Sequence, residues 1–212
     1  MLHSPHPTDV VEQMLNASLD AYDLEIDALK KARGHFEEDL IPALKVLQEC
    51  RGKIIVSGLG KSGHIGRKIA ATMSSLGSPA AFVQSGEALH GDSGEFAPGD
   101  VGILISNSGS TAEVCALANM LHGWGIPFVA ITRNADSPLA RYAASTIRLG
   151  IQSEADPLNL APTSSSTATL VIGDALAVGL MSTKSFTAED FAQRHPGGAL
   201  GAQLTMNEEV SS

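Results

Sequence analysis

Three short runs of glycine, serine and threonine mark this 212-residue chain. They are Ser57-Gly58-Leu59-Gly60-Lys61-Ser62-Gly63, Ser106-Asn107-Ser108-Gly109-Ser110-Thr111 and Pro162-Thr163-Ser164-Ser165-Ser166-Thr167. Each follows a strand-like run or precedes a helical pattern. In an open α/β sheet, ligands collect beyond the carboxyl ends of the strands, where free helix N–H groups and the positive ends of helix dipoles point outward. Small hydroxyl side chains at such a place make a cradle for a phosphate-sized anion. Ser62, Ser106, Ser108 and Thr111 supply hydroxyls, and Asn107, Thr163 and Ser164 add polar groups without the bulk that would block backbone amides. The same residue types also serve as ordinary N-caps and turns, so a single run does not decide between ligand site and cap.

The first run holds Gly58, Gly60 and Gly63 in the G-x-G-x-x-G spacing of a dinucleotide loop. The acidic residue expected about 20 positions later, at the end of the next strand, is missing. Val83-Gln84-Ser85-Gly86 stands there instead, so a nicotinamide cofactor is not expected. Gly60-Lys61-Ser62 also resembles the end of a nucleotide phosphate loop, but Lys53 to Ser57 contains no glycine where G-x-x-x-x-G-K-[ST] requires one. Nucleotide hydrolysis is therefore not expected either.

The elements that must position these runs are legible in the hydrophobic pattern. Strand-like stretches recur at Lys53 to Val56, Ala80 to Val83, Val101 to Ile105, Phe128 to Thr132 and Thr146 to Leu149. Helical patterns lie between most of them, at roughly Gly63 to Leu76, Ala112 to Gly123 and Pro138 to Ala144. Strands alternating with helices predict a parallel sheet with right-handed crossovers. Upstream, residues 8–33 and 35–49 predict two helices, the first long and striped with Val11, Met14, Leu15, Leu19, Tyr22, Ile26 and Leu29. Downstream, a helix is predicted over Ser165 to Lys184, then a short one starting near Thr187, then the glycine-rich HPGGALG at 195–201. The length suits one hydrophobic core, so residues 1–212 are expected to form a single domain, with 1–50 as helices packed on it.

Composition removes several classes of function. The formal net charge is −9 and no block of Lys and Arg occurs, so neither nucleic acid nor an anionic membrane is an expected partner. Aromatic residues make up 4% of the chain, too few for a base-stacking surface. Cys50 and Cys115 match no metal or redox spacing and suggest no disulfide framework. The N-terminal MLHSPHPTDVVEQ lacks a signal-peptide pattern, and no stretch is read as a membrane span. A cytoplasmic location is expected.

Taken together, GLGKSGHIGRKIAATMSSLGSPAAFV (58–83), EALHGDSG (87–94), ISNSGSTAEV (105–114), LAPTSSSTATLVIGDALAVGLM (160–181) and FTAEDFAQRHPGGALG (186–201) resemble the arabinose-5-phosphate isomerases of the sugar isomerase (SIS) family. The likeness covers about Lys53 to Leu204. It implies the SIS fold, a three-layer α/β/α arrangement with a five-stranded parallel sheet and extra N-terminal helices. It also implies a sugar phosphate ligand and a homotetramer with sites between subunits. Two features depart from the family pattern. Ser110 stands where relatives carry Glu, and the chain stops soon after Leu204, where many relatives continue into a paired regulatory module, so regulation through that module is expected to be absent.

The implied reaction interconverts D-ribulose 5-phosphate and D-arabinose 5-phosphate by moving a proton between C2 and C1 through an enediol. It supplies a sugar destined for lipopolysaccharide or capsule. No electrons leave the substrate, so no redox cofactor is needed, and the likeness implies no required metal. Such chemistry needs placed acids and bases and a donor for the developing enediolate oxygen. Lys61, His90, Glu113 and His195 are the candidates. Lys61 reaches a phosphate or substrate oxygen, Glu113 falls in the first turn of a helix as base or cap, and the two histidines sit in glycine-flanked loops as proton shuttles. His90, Glu113 and His195 are also the group that would hold a metal if one were used. His64 is expected to support the site indirectly or pack a helix. Two other readings stay open: an isomerase for a hexulose or heptulose phosphate, and a non-catalytic module that binds a phosphosugar.

Overall fold

The computed structural model describes residues 7–197. His3, His6 and the Gly198-Ala199-Leu200-Gly201 end of the last glycine-rich motif lie outside them. Five parallel strands form one sheet: β1 (Ile54–Gly58), β2 (Ala80–Gln84), β3 (Val101–Ile105), β4 (Phe128–Thr132) and β5 (Ser145–Arg148), in the order β2-β1-β3-β4-β5. The strands are short because their apolar runs are short. In the central three every residue is buried, the pattern of a sheet covered on both faces.

Side-chain alternation divides those residues between two cores. Ile54, Val56, Ile103, Ile105, Val129 and Ile131 face one layer, while Ile55, Leu104, Phe128 and Ala130 face the other. The first layer holds α2 (Gly60–Ser75), α5 (Ser164–Met181) and the second half of α1 (Pro7–Gln48). The second holds the one-turn α3 (Ser85–Ala88) and α4 (Ala112–Gly123). A short helix, α6 (Ala188–Arg194), ends the described chain. The three-layer α/β/α architecture expected from the sequence is therefore present, with all five expected strands found and their ends within two residues of the pattern.

Four expectations need correction. The two N-terminal helices are one 42-residue helix that runs through Gly34 and Pro42. Gly34 costs only about 1 kcal/mol relative to alanine inside a helix. Good helix formers on both sides override that cost. Residues 9–20 of α1 are exposed on all sides, so that part does not pack on the domain. The helix expected over 138–144 is reduced to a 3₁₀ turn, Ala140–Tyr142. Finally, α5 is long and apolar enough to cross a membrane by length and composition, against the sequence reading, yet half of it is buried inside the fold. Close packing explains its composition: a β-carbon on Gly173 would collide with the Ile69 side chain of α2.

Candidate functional site

Sheet register fixes where the motifs meet. Gly58 pairs with both Gln84 and Ile105, and Thr132 with Arg148, so the carboxyl ends of all five strands form one edge. The N-termini of α2, α4 and α5 open onto that edge because each helix follows its strand directly or by a loop. Their N-cap positions, Leu59, Thr111 and Thr163, make no side-chain capping bond.

At α4 the chain builds a compact hydroxyl cradle. Ser106 Oγ lies 2.9 Å from Thr111 Oγ1 and accepts from the Gly109 amide at 3.1 Å. Ser108 Oγ, exposed, accepts from the Ser110 amide at 3.2 Å and from the Ser110 hydroxyl at 3.1 Å. Gly109 holds φ +66°, and a β-carbon there would sit 2.7 Å from Thr132 Oγ1 and collide with Ser137. Only glycine allows the loop to fold back so tightly against β4. Glu113 follows in the first turn of α4, half-buried.

The other candidates distribute around this cradle. Lys61, exposed, and Ser62, half-buried, stand in the first turn of α2. Gly58 before them acts structurally: a β-carbon there would lie 3.2 Å from the Ser62 backbone, so its lack of one lets α2 press against β1. Ser57 and Ser85 share a fully buried 2.8 Å hydrogen bond, which ties the end of β1 to the start of α3. His90, exposed, follows α3, its amide bonded to Glu87 O at 2.8 Å. His64 is exposed on α2 beside a hollow of about 120 Å³ that it shares with Arg67 and Gln84. It does not pack a helix interface.

The N-terminus of α5 differs. The Glu154 carboxylate occupies it, accepting from the Thr163 amide at 2.8 Å, the Ser165 amide at 3.0 Å and the Thr163 hydroxyl at 3.2 Å. Partial burial pushes the Glu154 carboxyl up, but the bonds from Ser165 and Thr163 together outweigh burial and hold it below its usual range. Thr163 is thus engaged within the chain, and Ser164 is buried. Sequence reasoning passed over Glu154 because no motif surrounds it. The one available signal was its place in a long polar loop between a strand and a helix.

His195 lies at the far end of the molecule. Because α5 runs away from the carboxyl edge, the segment after it packs near the start of β2: Lys184 Nζ donates to Gly77 O at 2.8 Å and Ser78 Oγ at 2.7 Å. Phe186 lies against Gly77, with the Arg194 guanidinium 4.9 Å above its ring. His195 stacks on Phe191 at 4.0 Å, and its Nδ1 lies 2.8 Å from Phe191 O. A carbonyl can only accept, so Nδ1 donates in this bond. Strands of five residues separate the two edges by roughly 16 Å. His90, Glu113 and His195 do not converge in one subunit, and among the described residues no group of three His, Cys, Asp or Glu is placed to hold a metal.

Comparison with known proteins follows the same outline. A model of the SIS domain matches residues 47–179. Arabinose 5-phosphate isomerase KdsD of Francisella tularensis is 47% identical over 198 residues, covering 92% of this chain and 61% of that protein. Arabinose 5-phosphate isomerase KdsD of Escherichia coli K12 is 49% identical over 183 residues, covering 86% and 56%. The chain thus spans about three fifths of these curated relatives. Among solved structures, an Escherichia coli CFT073 protein in complex with A5P superposes with a TM-score of 0.84 at 41% identity, covering 91% of this chain and all of the other.

Proposed function

The chain belongs to the SIS domain family, and from that premise we propose that it is an aldose-ketose isomerase interconverting D-ribulose 5-phosphate and D-arabinose 5-phosphate through an enediol. The observation that carries this reading is the hydroxyl cradle of Ser106, Ser108 and Thr111 at an uncapped helix N-terminus, with Lys61 and Glu113 at the same sheet edge. The likeness to an A5P-bound structure and to proteins named arabinose 5-phosphate isomerase supports it. The phosphate rests on the α4 amides and the cradle, aided by Ser62. Asn107 completes the substrate surround, while Thr163, bonded to Glu154 and Ala155, and the buried Ser164 serve it by fixing the start of α5. Glu113 and His195 exchange the C1 and C2 protons, Lys61 stabilises the enediolate oxygen, and His90 assists ring opening. The proton leaves one carbon and returns to its neighbour, so the step needs no redox partner.

His195 serves the site of a neighbouring subunit in this reading, which its position at the opposite sheet edge supports. The assembly is a homotetramer, supported by the exposed apolar stripe of α1. A cytoplasmic location and a place in making the sugar acid of lipopolysaccharide or capsule belong to the same proposal, which the likeness to proteins named arabinose 5-phosphate isomerase supports.

Incubating the purified chain with five-, six- and seven-carbon sugar phosphates after exhaustive chelation tests the proposal. Exchange between arabinose 5-phosphate and ribulose 5-phosphate is expected, without metal or nucleotide. Binding of a phosphosugar with no exchange in any of them would make the chain a binding module.

A further inference from the structure

The cradle loop has a second face, turned toward β4 and β5. A hollow of about 150 Å³ lies there, its polar lining made by Asn107, Arg133, Ser153, Glu154 and Asn159 beside three apolar residues. At about 30 Å³ per water it has room for roughly five waters or a short hydroxylated carbon chain.

Its chemistry is selective. Asn107 Oδ1 is buried and has no hydrogen-bond partner among the described residues, although the Asn107 backbone oxygen accepts from the Arg133 amide at 2.9 Å and from Thr132 Oγ1 at 3.3 Å. A buried acceptor left unpaired costs free energy until a donor reaches it. Arg133 is exposed, and its guanidinium enters none of the ion pairs found among the described residues. Glu154 uses Oε2 to hold the start of α5, which leaves Oε1 for a ligand. Asn159 Oδ1 accepts from the Glu154 amide at 2.7 Å, so its NH₂ group is the free half. The hollow is therefore lined by Glu154, Arg133 and Asn159, with the unpaired Asn107 Oδ1 buried in its wall. Hydroxyl groups, which donate and accept at once, match that lining. A second anion would meet the Glu154 carboxylate, and an apolar group would strand Asn107.

We propose that this hollow is a hydroxyl-reading subsite, in which Asn107 Oδ1 accepts from one hydroxyl of the bound sugar phosphate and Arg133 donates to a neighbouring oxygen. The inference rests on the phosphosugar reading above and deepens it. Asn107 and Arg133 then set which sugar is accepted, while the cradle sets only that it carries a phosphate. A site built to bond a hydroxyl discriminates strongly against ligands that lack it.

The test is calorimetric binding of two probes, D-arabinitol 5-phosphate, which has the hydroxyls but no carbonyl to isomerise, and inorganic phosphate. Both are titrated into the wild type, Arg133→Gln, Asn107→Leu and the acceptor-retaining Asn107→Asp, with thermal unfolding to check each fold. Arg133→Gln and Asn107→Leu should weaken the arabinitol phosphate about tenfold or more, leave inorganic phosphate within about twofold, and spare thermal stability. Asn107→Asp should retain more arabinitol phosphate affinity than Asn107→Leu. If Arg133→Gln binds both probes as the wild type does, the subsite is wrong while the phosphosugar reading stands. If both affinities fall together, Arg133 belongs to the phosphate cradle and the proposal is overturned. A wild type that binds neither probe removes the phosphosugar reading, and the inference with it. Because Arg133 is exposed, its variant is expected to fold even if the Asn107→Leu loop does not.

Discussion

Glu113 and Ser108 stand within one turn of each other, yet the chemistry asks different things of them. A helix dipole attracts negative charge at the first turn of α4, which suits Glu113 either as cap or as base, and the N-cap Thr111 itself makes no side-chain capping bond. Glu113→Gln keeps shape and removes the base, so kcat should fall ~100- to 10,000-fold with KM and thermal stability nearly unchanged. In the proposed site, Ser108→Ala removes one donor to a phosphate held alike in ground and transition states. A bond to a charged group contributes roughly 1.5–3 kcal/mol, so KM should rise on the order of 10- to 100-fold with kcat held. Steady-state kinetics separates the two, and a Glu113→Gln variant that loses stability but little rate would assign Glu113 to capping. The hydroxyl run was readable because Ser, Thr and Asn crowd into six positions. Gly109 was readable only as a glycine: the reason for it, Ser137 and Thr132 crowding the other side of the turn, comes from residues more than twenty positions away. Arg133 and Glu154 carried no local signal, because β4 and β5 bring them to the cradle from two separate loops.

The loop from β5 to α5 is an element that hydropathy cannot describe, since what organises it is charge against backbone. Asp156 accepts from the amides of Leu158 at 3.0 Å, Leu160 at 2.8 Å and Ala161 at 2.8 Å, while Glu154 closes the start of α5. Desolvation pushes the Asp156 carboxyl up, but these amides outweigh it, so both loop carboxyls lie below their ordinary ranges. A depressed carboxyl adds stability that is complete above its unfolded value, near pH 4, and is lost as pH falls through the lower folded value. The loop should therefore keep one conformation across neutral pH and loosen only below about pH 4. Hydrogen exchange at the Leu160, Ala161, Thr163 and Ser165 amides checks this, and protection that fades between pH 7 and 5 would contradict it. The regular elements were far more legible, because a buried parallel strand must be an apolar run and each such run stood out. Errors fell where local signals were weak: one exposed glycine did not divide α1, and the one-turn α3 is too short to show a period.

Assembly is where the two ends of the chain acquire a purpose. Thr167, in the first turn of α5, donates to Glu25 at 2.6 Å, and the part of α1 before that bond has nothing described beneath it. At 1.5 Å per residue, residues 7–24 extend roughly 27 Å past the domain. Along them Val11, Met14, Leu15, Leu19 and Tyr22 are all at least 54% exposed. An isolated helix carrying such a stripe is poorly stable in water, whereas packing against other copies buries it. In the proposed tetramer the same assembly would bring His195 to a neighbour's substrate, because its own carboxyl edge lies on the other side of the sheet. Mixing two inactive variants, Glu113→Gln and His195→Ala, distinguishes a shared site from a self-contained one. If each site takes Glu113 from one subunit and His195 from another, equal random mixing leaves half the sites with an intact Glu113. Half of those receive an intact His195, so about one quarter of wild-type activity should return. A self-contained site returns none, because every subunit carries one lesion. Subunit exchange followed by mass, with the activity of the exchanged mixture still at the level of the separate variants, would place His195 outside the neighbour's chemistry.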